Sequence, residues 1–342
     1  MQKPEKHARP TLVSRVTRST AFWMFLCLLA LIVTFGLLSE NMVFFNSSNF
    51  FTIALNASQL VLLAVGTSYL LGAGQLDLSI GSNLILASVL SGMTITGLAG
   101  TPAEIVAGEY PNLTFAVIAG VFVAIGSGSL FGLVNGLLVT KLRLNSFLVT
   151  IATTAIGLGL ALVITHGANV PYIPRAMQTG FSIQKLFGVV PYPVVLAAII
   201  VCIFWFILEK TRFGMRTLAI GSSVEAARRC GISTDRHTII LFVVMGALAG
   251  TSALLDISRF ATTNISGHQT DALQAIAAAV IGGTSLFGGV ASVIGAVVGT
   301  FIPAVLATGL VILRIDPFYQ LIVIGLIIIA AVYIDQKNRD NR

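Results

Sequence analysis

Apolar residues in this chain are gathered into long blocks separated by short polar stretches, and within the blocks no face is reserved for polar side chains. A helix that is apolar all round belongs inside protein or lipid, and crossing about 30 Å of hydrocarbon takes about 20 such residues. Ten blocks are candidates: residues 21–38, 53–71, 78–98, 113–139, 147–165, 191–208, 238–257, 273–281, 291–313 and 318–334. The eighth is too short to span and is followed by Gly282, Gly283, Gly288 and Gly289. It reads as a broken or re-entrant helix, or as the start of a longer tilted one. Such an interruption survives at membrane depth only where protein or a water-filled cavity satisfies the freed backbone groups. The pattern predicts an all-α, polytopic membrane bundle of about ten helices, with eight as the lower bound. A basic leader (1–20) precedes a single transmembrane domain (21–335), and a short tail (336–342) follows. No small-residue cleavage site follows the first block, so it is expected to stay as a helix rather than be removed as a signal peptide.

Composition agrees. Of 342 residues 56% are hydrophobic and 10% charged, against about 25% charged in soluble domains. That excludes a soluble enzyme, a nucleic-acid binder and a disordered chain. The net charge of +7 reads as topology. With both termini on one side, Lys and Arg number five in the leader, two in the 139–147 loop, six in the 209–237 loop and three in the tail, which is 16 on that side. Only Arg175, Lys185, Arg259 and Arg314 fall on the other. Such asymmetry places both termini in the cytoplasm and leaves no charge that calls for nucleic acid.

The 209–237 loop is the one substantial cytoplasmic segment. Within it, Ser223 is an N-cap candidate, Ala226 and Ala227 favour helix, and Gly231 stops the helix at its C′ position. A helix this short needs a surface to pack on. Glycines at four-residue spacing (Gly128, Gly132 and Gly136; Gly246 and Gly250; Gly295 and Gly299) predict close helix–helix contact. Cys27 and Cys202 lie in apolar blocks, where small buried hydrophobes are expected, and with Cys230 they suggest neither a disulfide framework nor a zinc site.

No P-loop, HExxH or GxSxG motif occurs, and GGTSLFGG (282–289) lacks the lysine a phosphate loop needs. No catalytic, cofactor or metal constellation is found, and the four histidines read as polar helix-end residues. Ionisable residues in or beside the spans are the functional candidates. Asp77 and Ser79, in GAGQLDLSIGS (72–82), fit either an N-cap of the third span or a role in a polar path. Asp256 and Arg259 are spaced to pair at i, i+3, and Asp271 stands nearby.

GAGQLDLSIGS resembles the GGIDLSVGS signature of ribose-type sugar ABC importer permeases. NSFLVTIATT (145–154) is similar to the family's PxFIVTLGT segment. FGMRTLAIGSSVEAARRCGI (213–232) is similar to its GxxxxAIGGNxxAARxSGI loop, and AIAAAVIGGTSLFGG (275–289) to DAIAAVVIGGTSLxGG. The ordered resemblance covers residues 73–335. It implies a permease subunit in the bacterial inner membrane that moves a small carbohydrate or polyol. It also implies a second permease copy or paralogue, a periplasmic solute-binding protein, and a cytoplasmic ATPase that binds ATP, with no cofactor on this chain. The loop holding Gly221, Glu225, Ala226, Ala227, Arg228, Arg229, Gly231 and Ile232 would dock on that ATPase. Glu225, Arg228 and Arg229 would set the electrostatic fit, and Ala226, Ala227 and Gly231 would permit close approach. Departures from the pattern are Gln75, Asn145, Ser222 and Ser223, with Ala272 and Gln274 where the family carries acids.

On that reading affinity resides in the binding protein, and the path needs only wettable groups. Besides Asp77 and Ser79, candidates for path or gate are Asn83, Ser88, Ser91, Thr150, Thr153, Gln274, Thr284 and Ser285. Interhelical hydrogen bonding accounts for each of these polar groups equally well. The alternative function is a self-sufficient secondary transporter or facilitator of a small polar solute, whose marks would be broken helices in both halves and midplane carboxylates.

Overall fold

The apolar blocks become helices in a computed structural model of the chain, which describes residues 20–316, 318–326, 329 and 333. Apart from short turns of helix at Glu40–Phe45, Arg175–Met177 and Gln178–Ser182, twelve helices follow in order among the described residues: α1 (Thr20–Leu38), α2 (Ser47–Gly72), α3 (Ile80–Ala99), α4 (Pro102–Ala107), α5 (Leu113–Lys141), α6 (Ser146–Thr165), α7 (Tyr192–Lys210), α8 (Arg212–Ser222), α9 (Val224–Arg229), α10 (Thr234–Phe260), α11 (Asp271–Ile281) and α12 (Val293–Ile312). A two-residue hairpin, β1 (Lys185–Leu186) with β2 (Val190–Pro191), precedes α7. Seven helices (α2, α3, α5, α6, α7, α10 and α12) are long and apolar enough to cross a membrane. Against ten predicted spans, α11 is apolar but too short to cross, and α1 counts as a shorter apolar helix over Met24–Leu38. The tenth block is described only in part, with residues 319–326 helical. The leader up to residue 19 and the 336–342 tail lie outside the described residues.

The bundle sorts its helices by burial. The second half of α2 is buried on every side from Leu60 to Gly72, and most of α3, α10 and α12 is buried with it. Helices α5, α6 and α7 bury one narrow stripe and expose large apolar residues such as Phe122, Val163 and Phe206, the distribution expected of helices facing lipid. Cys27 and Cys202 are on such exposed faces. The expectation that they are buried is thereby corrected: an apolar block in lipid has an outside as apolar as its inside.

Small residues bring α5 and α10 together. A Cβ on Gly132 would run into the Phe242 carbonyl, one on Gly128 into that of Gly246, and one on Gly250 into that of Ala124. Van der Waals packing and polar bridges replace the hydrophobic effect between helices in lipid. Here the bridges are Asn83 Nδ2 donating to Gly128 O (3.2 Å) and Ser91 Oγ donating to Gly120 O (2.9 Å), both between α3 and α5.

The connection between α10 and α11 folds back along the bundle. Thr263 packs beside Gly92, whereas the His268 carbonyl lies against Gly81, three turns along α3 or about 16 Å. Helix α11 therefore begins inside the bundle, which is the re-entrant form of the eighth block. His268 holds this segment in place. Its Nδ1 lies 2.9 Å from Asp271 Oδ2 and its Nε2 lies 3.2 Å from Asp256 Oδ2, with His268 and Asp256 buried and Asp271 partly so. Arg259 instead donates from Nη1 to Asn56 Oδ1 at 2.6 Å. The expected Asp256–Arg259 pair is thus not formed: the folded-back loop sets the His268 imidazole beside Asp256, and Arg259 turns to Asn56.

Two measurements test this architecture. Gly132→Ala is expected to cost about 1–3 kcal/mol, because the added methyl forces α5 off α10. Gly126→Ala meets nothing within 4 Å and is expected to leave thermal unfolding in detergent unchanged or slightly raised. His268→Ala strands the buried Asp256 and the partly buried Asp271 and is expected to cost about 3–5 kcal/mol, with part recovered when Asp256→Asn is added. Equal melting temperatures for His268→Ala and the parent chain would show that the cluster does not hold the segment.

Candidate functional site

The short helix predicted in the 209–237 loop is α9. Ser223 caps it, with the Ala226 amide donating to Ser223 Oγ at 3.2 Å. Gly231 follows in the left-handed region at φ 79°, where a Cβ would be strained. Ala227 is buried against the bundle, while Glu225, Ala226 and Arg229 are exposed. Arg228 donates from Nη2 to Asp235 Oδ1 at 2.8 Å and from Nε to Thr234 Oγ1 at 2.9 Å. It pins α9 to the first turn of α10, so Glu225 and Arg229 are the charges left to a partner. Ala226 faces outward and a Cβ on Gly231 would meet nothing within 4 Å of this chain, so the close approach expected of both concerns a partner's surface; within the chain Gly231 serves backbone conformation.

Close approach occurs at Gly221, in the last turn of α8. A Cβ there would run into the carbonyl of Gly72, the last residue of α2, and would stand 2.5 Å from the amide of Gly289. That amide donates to the same Gly72 carbonyl at 2.9 Å. Gly288, at φ 87°, would place a Cβ 2.6 Å from the Gly221 carbonyl. Three segments distant in sequence therefore meet backbone to backbone: the end of α2, the end of α8, and the loop between α11 and α12. This loop is itself ordered. The Ser285 amide donates to Val290 O at 3.0 Å, the Thr284 amide to Ala279 O at 3.0 Å, and the Ser292 amide to Thr284 Oγ1 at 3.2 Å. Ser292 then caps α12 through the Gly295 amide at 3.0 Å. At this contact α8 meets both α2 and the α11–α12 loop through backbone alone, with no flexible side chain between them.

The polar candidates divide. Asp77 and Ser79 come together with Asn135, a residue the sequence reading did not single out. Asp77 Oδ1 accepts from the Ser79 amide (2.8 Å) and Ser79 Oγ (2.6 Å), and Ser79 Oγ accepts from Asn135 Nδ2 (2.8 Å). The expected cap on the first amides of α3 is not made, because Ser79 turns its hydroxyl to Asp77 and Asn135 and makes no cap bond of its own. Asn83 joins the same α3–α5 seam through Gly128, and its Oδ1, like that of Asn135, has no partner among the described residues. Ser88 donates within its own helix to Ile85 O (2.8 Å), Thr150 to Ser146 O (2.8 Å) and Thr153 to Thr150 O (3.3 Å). Gln274 Nε2 donates to Thr270 Oγ1 at 3.2 Å. Among the described residues, no hydrogen bond of Thr150, Thr153, Gln274 or Thr284 reaches Asp77. Among the described residues no group of histidine, cysteine and carboxylate side chains is arranged to hold a metal ion.

Residues 49–332 match the family described as branched-chain amino acid transport system / permease component. The chain is 34% identical over 319 residues to the D-allose transport system permease protein AlsC of Escherichia coli (strain K12), covering 92% of each chain. It is 32% identical over 317 residues to the ribose import permease protein RbsC of the same strain, covering 92% of this chain and 93% of that one. With the galactose/methyl galactoside import permease protein MglC of Haemophilus influenzae it shares 31% identity over 333 residues, 93% of this chain and 94% of the relative. No solved structure matches it. With a capped helix projecting from one end of an apolar bundle, and matches of this length on both counts, the chain belongs to the family of transport-system permease components.

Proposed function

We propose that this chain is the membrane permease subunit of an ATP-binding-cassette importer for a small carbohydrate or polyol. The junction of Gly72, Gly221 and Gly289 carries the reading, since it joins an exposed cap helix directly to the interrupted helices of the bundle. In an importer of this kind, energy enters from an ATPase as movement and must reach the helices that line the path. A two-state element biased by a partner does this only if it is rigidly connected. Helix α9 offers Glu225 and Arg229 to the ATPase, α8 carries the displacement, and the Gly221 contact delivers it to α2 and to the α11–α12 loop. The carbohydrate class follows from relatives named for allose, ribose and galactose import. Charge sorting supports α8, α9 and both termini on the cytoplasmic side, and bacterial relatives support a location in a bacterial inner membrane. A periplasmic solute-binding protein would deliver substrate to the opposite end, and a second permease copy or paralogue would complete the pathway. The Asp77–Ser79–Asn135–Asn83 seam supplies hydroxyl and amide groups of the kind that hold a neutral polyol weakly, with Thr150, Thr153, Gln274, Thr284 and Ser285 as further candidates once two copies assemble.

One observation favours a secondary transporter instead, namely the buried Asp256–His268–Asp271 cluster, because such transporters keep carboxylates at the bilayer midplane. Purification of the tagged chain in mild detergent separates the two. The importer reading expects a stoichiometric ATPase in the preparation, while ion-driven uptake by this chain alone in liposomes would overturn it. Within the assembled importer, Gly221→Ala is expected to lower binding-protein-stimulated ATP hydrolysis and uptake by about tenfold or more, since about 1.4 kcal/mol lost from the coupled state has that effect. Assembly, read by co-purification, should persist. Gly231→Ala, strained by about 1 kcal/mol but unobstructed, should retain most activity.

A further inference from the structure

Behind α9, on the face that carries Val224 and Arg228 and away from Glu225 and Arg229, lies a cavity of about 360 Å³, within the size range of small-molecule sites. Its walls are the α2–α3 connection at Gln75, the α5–α6 connection at Arg143 to Ser146, and the start of α10 at Asp235. Asp235 is its only carboxylate and is occupied by Arg228 at 2.8 Å. Arg143 has no ion-pair partner among the described residues, and its backbone is held in the left-handed region at φ 54°, a conformation that costs a non-glycine residue about 1 kcal/mol or more. Beside it α6 begins. Asn145 Oδ1 caps the Phe147 amide at 2.9 Å, leaving the Asn145 amide group as a donor, and Ser146 Oγ accepts from the Leu76 amide at 3.2 Å. The lining thus combines an unpaired guanidinium, a helix N-terminus and side-chain donors, with one net positive charge.

We propose that this cavity binds a small phosphate-bearing solute. Arg143, the start of α6 and Arg228 approach from different elements, and a tetrahedral phosphate presents three strong acceptor oxygens to reach them together, which a planar carboxylate does not. A ligand bridging Arg143 and Arg228 ties α9 to the α5–α6 connection. On the coupling role given above for α9, it restrains the movement that transport needs. The phosphate has two sources of the same chemistry: a sugar phosphate in the cytoplasm, or a lipid headgroup admitted past the exposed Leu142 and Leu144 at the rim.

The test uses the full chain in phosphatidylcholine nanodiscs, titrated with glucose 6-phosphate, inorganic phosphate and glucose. Saturable binding of both phosphates and not of glucose is expected. Arg143→Gln should weaken it by about tenfold or more, with Arg143→Lys in between. Nanodiscs containing phosphatidylglycerol identify the source: a weakened apparent affinity for glucose 6-phosphate assigns the site to a headgroup, and an unchanged one assigns it to the soluble solute. No saturable phosphate binding in phosphatidylcholine, equal affinity for glucose, or equal affinity in Arg143→Gln would overturn the proposal. Binding is read on this chain alone, so the result stands whether or not α9 docks on an ATPase.

Discussion

Contact of backbone with backbone at glycine is the interaction on which the rest of this structure depends. In hydrocarbon, helices gain nothing by hiding apolar side chains from one another, so their association rests on approach close enough for dispersion and weak polar contacts. The α5–α10 seam achieves this over Gly128, Gly132, Gly246 and Gly250. The same device at Gly72, Gly221 and Gly289 does something different. It fastens three chain segments at the place where helices end and their carbonyls would otherwise be open. One contact both satisfies an orphan backbone group and makes a mechanical joint.

Polar groups are few, and their placement follows from the cost of leaving them unpaired. Most serines and threonines turn back onto their own helix. Those that do not, such as Ser79, Ser91 and Ser252, bridge neighbours. Apart from Asp77 on the α3–α5 seam, the carboxylates inside the bundle are gathered around His268, where a folded-back loop brings imidazole between two of them. Buried ion pairs add little net stability, but breaking one is costly. Such a cluster is therefore better suited to fixing where the loop lies than to strengthening the fold.

Some of this was legible in the sequence because it is local. Block length set the spans, glycine spacing marked the close-packed faces, and Ser223 with Gly231 bounded α9 to within a residue. The 16:4 sorting of basic residues pointed to one functional end. The failures were also of one kind. Asp256 and Arg259 stand at pairing distance along a helix, yet each found its partner in another segment. Ser79 stands where a cap should, yet its hydroxyl is drawn to Asp77 and Asn135. Gly221 was included for its place in a motif, and nothing in spacing says that Gly72 and Gly289 lie against it.

Local rules of period, capping and charge thus decided by themselves that the chain is a polytopic helical membrane protein, which way its charges sort, and where its cap helix begins and ends. Each of these depends on residues within a few turns of one another and on the solvent outside. Which segments touch was left to the tertiary structure: the glycine joint and the cavity behind α9 bring together segments more than 60 positions apart, and the His268 cluster closes the loop between α10 and α11. Such contacts are chosen by the packing of the whole bundle, since one glycine can approach any backbone that the other helices deliver to it.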